Sequence, residues 1–119
     1  MTPLDRYAEL VADESAFRAA CDRPLPQVVR VNTLAATPER VATALSEEGV
    51  AHERVDWHDG LFRLPDGSPG TNWPYFHGWI HGQEEVSVLP TLALDPQPGE
   101  LVWDAAAAPG SKTSHAAAL

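Results

Sequence analysis

Residues 100–119 read ELVWDAAAAPGSKTSHAAAL: a short apolar run, an acid, a string of small residues and a helix-forming tail. Glu100 to Trp103 predict a strand ending at Asp104. Ala105 to Gly110 then predict a tight loop into a helix from about Ser111 to Leu119. Small side chains at Ala105, Ala106, Ala107 and Ala108, followed by Pro109 and Gly110, let a backbone come close to a ligand, and the amide N–H groups of the next helix point back at that space. In open α/β sheets ligands bind beyond the carboxyl ends of the strands, which is where Asp104 stands. By pattern alone, a ligand loop and a plain strand-to-helix turn are equally good readings.

Working upstream, Gln83 to Leu94 predict a mostly apolar helix interrupted by Pro90 and ended by Asp95, Pro96, Gln97, Pro98 and Gly99. The texture changes near Trp79. Before it, Leu4, Tyr7, Ala8 and Val11 fall at helical spacing, and Glu14 to Cys21 predict a second short helix. Val28 to Asn32 predict a strand. A helix follows with Thr37 as N-cap, Pro38 and Glu39 in its first turn and Gly49 as its stop. Val50 to Val55 and Leu61 to Leu64 complete a small α+β unit as two further strands. The expected division is residues 1–78 as an α+β module and 79–119 as the start of a second domain.

Composition narrows the classes. The chain of 119 residues carries 17 acidic and 8 basic side chains for a net charge of −9, and Lys112 is its one lysine. This acidity suggests adaptation to a salty cytoplasm and argues against a simple nucleic-acid module, whose phosphate affinity comes from clustered Lys and Arg. The lone cysteine, Cys21, excludes a disulfide within the chain and reads as structural. No apolar run is long enough for a membrane span, and the first ten residues hold no apolar signal segment. The expectation is a soluble, cytoplasmic protein.

The run from Gly82 to Ala117 resembles the start of the catalytic domain in the nucleolar-protein/Sun (Fmu) family of S-adenosylmethionine-dependent RNA (cytosine-5) methyltransferases. That family reads Gln-Asp/Glu, a Ser, an apolar helix, Pro-Gly, an apolar strand and Asp-x-Cys-Ala-Ala-Pro-Gly-Gly-Lys-Thr. Gln83, Glu84 and Ser87 match its entry helix, Pro98 and Gly99 its turn, and Asp104 its strand end. Ala107, Ala108, Pro109, Gly110, Lys112 and Thr113 match its loop, while Ala106 replaces its Cys and Ser111 its second Gly. Upstream, Val29 to Leu34, VRVNTL, resembles a strand of the family's N-terminal module.

The resemblance implies an N-terminal α+β accessory module followed by the first strand, loop and helix of a Rossmann-like α/β methyltransferase domain. It implies an S-adenosylmethionine site built from Ala106, Ala107, Ala108, Pro109, Gly110, Ser111 and Lys112, and an RNA substrate, ribosomal or transfer. Lys112 would pair with the cofactor carboxylate or with an active-site acid. Methylating cytosine C5 needs a nucleophile at C6 and a base for the C5 proton. The family's two cysteines and aspartate for those steps lie beyond the loop, outside this sequence. A doubly wound sheet also needs further parallel strands, and the last helix runs into Ala116–Leu119 without a C-cap. The chain is therefore expected to be a fragment without catalytic residues, binding cofactor weakly or not at all by itself.

Other readings are weaker. A P-loop needs Gly at Ser111 and at Ala106. His77 and His81 have a spacing that suits a metal only on a helix, which Gly78 and Gly82 disfavour, so no metal is expected. Trp73, Tyr75, Phe76 and Trp79 resemble a base-stacking set, but with no basic residue near them in sequence they are expected to pack between the two layers. The rival from another class is a non-catalytic RNA-binding or adapter module.

Overall fold

The structure is a computed structural model that describes residues 3–119. A 3-10 turn over Pro3–Leu10 leads into α1 (Glu14–Cys21), capped by the Asp13 carboxylate, which accepts from the Ala16 amide at 2.9 Å. β1 (Val28–Val31) follows, then α2 (Pro38–Glu47), β2 (Glu53–Arg54), β3 (Leu61–Arg63), α3 (Trp73–Phe76) and β4 (Ile80–Gly82). A 3-10 turn over Glu85–Val88 runs directly into α4 (Leu89–Leu94), and α5 (Ser111–Ala116) is the last element.

The sheet is antiparallel throughout, in the order β2-β3-β1-β4. β1 is central, with Arg30 opposite Leu61 on one side and His81 on the other. All four of its residues are buried, so both faces of the sheet are covered there. Val29 and Val31 share one face with Val41 and Leu45 of α2, together with Phe62, Leu64 and Ile80. The alternation of a strand sends Val28 to the opposite face, where it packs with Val55, Leu61, Val88 and Leu92. The α+β unit is thus a sheet between α2 and a second layer that includes α4.

α2 forms as its sequence dictates. The Thr37 hydroxyl accepts from the Arg40 amide, Pro38 occupies the first turn, and Gly49 takes a positive φ of 70° just past the end.

Several elements differ from the sequence reading. Ile80–Gly82, assigned no strand from its pattern, pairs with β1. The helix expected over Gln83–Leu94 begins only at Glu85: Gln83 and Glu84 remain extended, because the Gln83 amide donates to the Val28 carbonyl and continues the β1–β4 ladder. Pro90 does not interrupt α4 but sits in its first turn, where its missing N–H costs nothing. The run Glu100–Trp103 is not a strand. Leu101 is fully exposed and Trp103 87% exposed, and an apolar run with no neighbouring strand has no ladder to join. The expected first strand of a Rossmann-like sheet is therefore absent among the described residues, and the only sheet there is the antiparallel one. The helix after the loop stops at Ala116 rather than Leu119.

Candidate functional site

Asp104 organises the loop. Its Oδ1 accepts from the Ala106 amide at 3.0 Å and its Oδ2 from the Thr113 hydroxyl at 2.6 Å, so one carboxylate ties the start of the loop to the helix that follows it. The Thr113 hydroxyl, then the Ala106 amide, then the charge of Lys112 hold the Asp104 carboxyl below the ordinary carboxylate range. Gly110 stands at the N-cap of α5 with φ 108°, a conformation that side-chain-bearing residues rarely adopt. Ser111 takes the first helical position, so the positive φ of this loop falls on a glycine that the sequence retains.

Ala105 to Pro109 are exposed, and Lys112 projects from the first turn of α5 with no ion pair among the described residues. Ala107 and Lys112, with Asp104, Ala105 and Thr113, line an open cleft of about 740 Å³ that Pro90, Thr91, Leu94 and Trp103 also line. Ser111 faces a different hollow, of about 440 Å³, beside Gln27, Gln83 and Ser87. Ala106, Ala108, Pro109 and Gly110 line neither. The seven residues expected to bind one cofactor are contiguous in the loop, and two of them reach the larger cleft.

Beneath α5 lies a group of polar side chains. Arg30 is 1% exposed, and its guanidinium donates to Gln83 Oε1 at 2.7 Å, to the Val31 carbonyl at 3.2 Å and to Ser114 Oγ at 2.9 Å. None of these acceptors is a carboxylate. His115 is buried beside His58, and its Nδ1 has no hydrogen-bond partner among the described residues. Burial, then the charges of Arg30 and His58, bring the His115 imidazole down to about 4. The sequence signal for this group was a charged residue in the middle of VVRV, since a charge in a buried strand requires partners.

His77 and His81 are not brought together on a helix: His77 stacks on Trp73 and His81 lies in β4. Of the four aromatic residues only Trp79 packs as expected, partly buried against the core between α2 and the sheet. Trp73, Tyr75 and Phe76 are 44%, 42% and 74% exposed, because α3 is a single turn on the rim of the sheet. A basic residue does stand among them: the Arg40 guanidinium, from α2, lies 4.2 Å from the ring centre of Trp79. Cys21 is exposed at the end of α1. No helix among the described residues is long and apolar enough to cross a membrane.

The chain is 37% identical over 117 residues to the tRNA (cytosine(49)-C(5))-methyltransferase of Pyrococcus abyssi, covering 96% of this chain and 37% of that protein. It is 39% identical over 104 residues to the ribosomal RNA small subunit methyltransferase F of Shewanella amazonensis, covering 83% of this chain and 22% of the relative. The solved structure of a methyltransferase homologue from Pyrococcus horikoshii matches with a TM-score of 0.75 at 33% identity, over 98% of this chain and 44% of the other. No family model matches.

Fold and sequence together define a methyltransferase homologue. The chain is related to the RNA (cytosine-5) methyltransferases of the nucleolar-protein/Sun (Fmu) family, and it spans little more than a third of one of these curated relatives and under a quarter of the other.

Proposed function

We propose that this chain is the part of an RNA (cytosine-5) methyltransferase that joins an N-terminal accessory unit, residues 1–78 with β4 completing its sheet, to the start of the S-adenosylmethionine domain within residues 79–119. The observation that carries the reading is the Asp104-pinned loop of small residues, in a chain whose relatives bear the names of tRNA and rRNA methyltransferases.

The loop suits the cofactor in its chemistry. Ala106, Ala107, Ala108, Pro109, Gly110 and Ser111 offer backbone that no large side chain shields, and a Cβ added at Gly110 would meet nothing within 4 Å. Lys112 supplies the one cation of the loop, for the cofactor carboxylate or for an acid of the active site. S-adenosylmethionine, when bound, supplies an electrophilic methyl group. The residues of this chain position that cofactor, and the groups that attack and deprotonate the cytosine belong to sequence beyond the loop. The RNA substrate, ribosomal or transfer, and a cytoplasmic setting belong to the same reading.

The test is a heteronuclear NMR titration of the chain with S-adenosylhomocysteine, which detects weak binding. Shifts confined to Ala106–Lys112 and abolished by Gly110→Asp are expected. A chain that binds RNA while its loop amides ignore the cofactor is an adapter, and that result overturns the reading.

A further inference from the structure

The most heavily buried charge in the described chain serves none of the roles above. Arg30 stands in the central strand at 1% exposure, with a Gln side chain, a main-chain carbonyl and a Ser hydroxyl as its partners. Burial lowers its basicity, as expected where no carboxylate offsets desolvation. Placing a cation in such a site carries a desolvation cost that its hydrogen bonds must offset. An apolar residue would fill the space without that penalty, so the useful property of Arg30 is the geometry of its donors. A guanidinium presents N–H groups in a rigid planar fork, which lets one side chain hold three separate segments at fixed angles.

Those segments are β1 itself, the chain after β4 at Gln83, and α5 at Ser114. Gln83 is in turn oriented by donating Nε2 to the Ser87 carbonyl at 3.2 Å. The Ser114 hydroxyl, which accepts from Arg30, also donates to the Ser111 carbonyl at 3.3 Å, immediately after Gly110. Two neighbours of Arg30 extend the arrangement. Asn32 Nδ2 donates to the Gly78 carbonyl at 2.9 Å, and the Thr33 hydroxyl donates to the Ala118 carbonyl at 2.6 Å, beyond the other end of α5.

We propose that Arg30 is a positioning residue, and that the Arg30–Thr33 segment is a latch that fixes α5, and through Ser114 and Ser111 the loop ahead of it, against the four-stranded sheet. Arg30 holds the middle of the helix and Thr33 its far end. The latch stands on the geometry alone. Its consequence for cofactor affinity rests on the reading given under Proposed function.

The test compares wild type with Arg30→Met and Arg30→Lys by amide hydrogen exchange and by the ring signals of His115. In Arg30→Met, exchange at Ser114 and Ala117 is expected to accelerate tenfold or more while Val41 and Glu48 in and after α2 keep their wild-type rates. His115, facing Arg30 from β1 and His58 from the β2–β3 connection, then titrates higher than in wild type. Arg30→Lys, with a single point of attachment, recovers only part of the protection. Unchanged exchange in α5 overturns the latch, and so does an equal rise in α5 and α2, which marks a residue needed only for overall stability. Should Arg30→Met not fold, the double variant Ser114→Ala with Thr33→Val removes the α5 attachments instead and must produce the same selective acceleration. Cofactor titration separates the two ideas: a wild-type loop that ignores cofactor while the exchange result holds rejects the cofactor reading and leaves the latch in place.

Discussion

The Thr113 hydroxyl donates to Asp104 Oδ2 across 2.6 Å, closing a loop of small residues between an acid at its start and the first turn of the helix at its end. The same carboxylate accepts from the Ala106 amide, so a single side chain sets both the entry and the exit of the loop.

Replacing Thr113 with Val removes that contact without changing the bulk of the side chain. The Asp104 carboxyl is expected to titrate higher than in wild type, because its largest depressing influence is gone while the Ala106 amide and Lys112 remain. Carbon-detected NMR of the carboxyl reads this directly, and an unaltered titration shows that the Thr113 contact is not populated in solution. Cofactor shifts across Ala106–Lys112 should weaken in the same variant.

Acid should loosen the layer that carries α5. The folded His115 pKa, brought to about 4 by burial, Arg30 and His58, lies below the ordinary 6.5. The unfolded chain therefore binds more protons between these values, and stability falls as pH drops. The contribution is complete above about pH 6.5 and is lost progressively toward about pH 4, with a size on the order of 3 kcal/mol. His58 and His81 are displaced in the same direction, chiefly by burial, and add to the slope. Urea unfolding of wild type and His115→Phe above and below that window measures the effect. Equal pH slopes in the two proteins refute it.

Glu85 joins the turn before α4 to the sheet. It accepts from the Trp57 indole at 2.7 Å and receives Arg63 through Nε at 3.0 Å and NH2 at 2.8 Å. The Trp57 indole first, then Arg63, depress its pKa, so its contribution is present above the ordinary carboxylate range and lost as pH falls through the folded value. Glu85→Gln keeps the shape and removes the charge. A loss of about 1 kcal/mol is expected, because Arg63 is partly solvated and screened. Thermal unfolding of Glu85→Gln, Arg63→Met and the double variant gives the coupling, and additive effects show that the pair is energetically silent.

The fold was legible where local chemistry and tertiary packing agree. Thr37, Pro38 and Gly49 bound α2 as their types require, and the Val-rich β1 sits in the centre of a sheet as an apolar run should. It was illegible where partners decide. Leu101, Val102 and Trp103 have the composition of a strand, yet strand formation depends on neighbours that the described residues do not provide. Ile80–Gly82 has little strand character of its own, with a glycine and a histidine, and is recruited by hydrogen bonds to β1. The candidate loop could be found from its small residues, but its pinning by Asp104 could not, because the strand expected to end at that acid does not form and the bond to Thr113 arises only from the folded path of the loop. The union of Arg30, Gln83 and Ser114 was not visible, because residues 53 and 84 positions away from Arg30 meet it only in the folded chain.

Gly110 is where backbone conformation alone should limit the loop. Its φ of 108° lies in the left-handed half of the map, while a Cβ built on it meets nothing within 4 Å. Gly110→Ala therefore adds no clash, and its cost is the conformational one, roughly 1–2 kcal/mol. The strain can be relieved by fraying the first turn of α5, where the Ser114 amide donates to the Gly110 carbonyl at 2.8 Å. Exchange at Ser114 is accordingly expected to rise in Gly110→Ala while the His115 ring, held farther along the helix, stays buried and titrates as in wild type. That pattern differs from loss of the Arg30 latch, which frees His115 as well. If Gly110→Ala leaves both exchange and global stability untouched, the left-handed conformation is not maintained in solution, and the loop reaches α5 by another path.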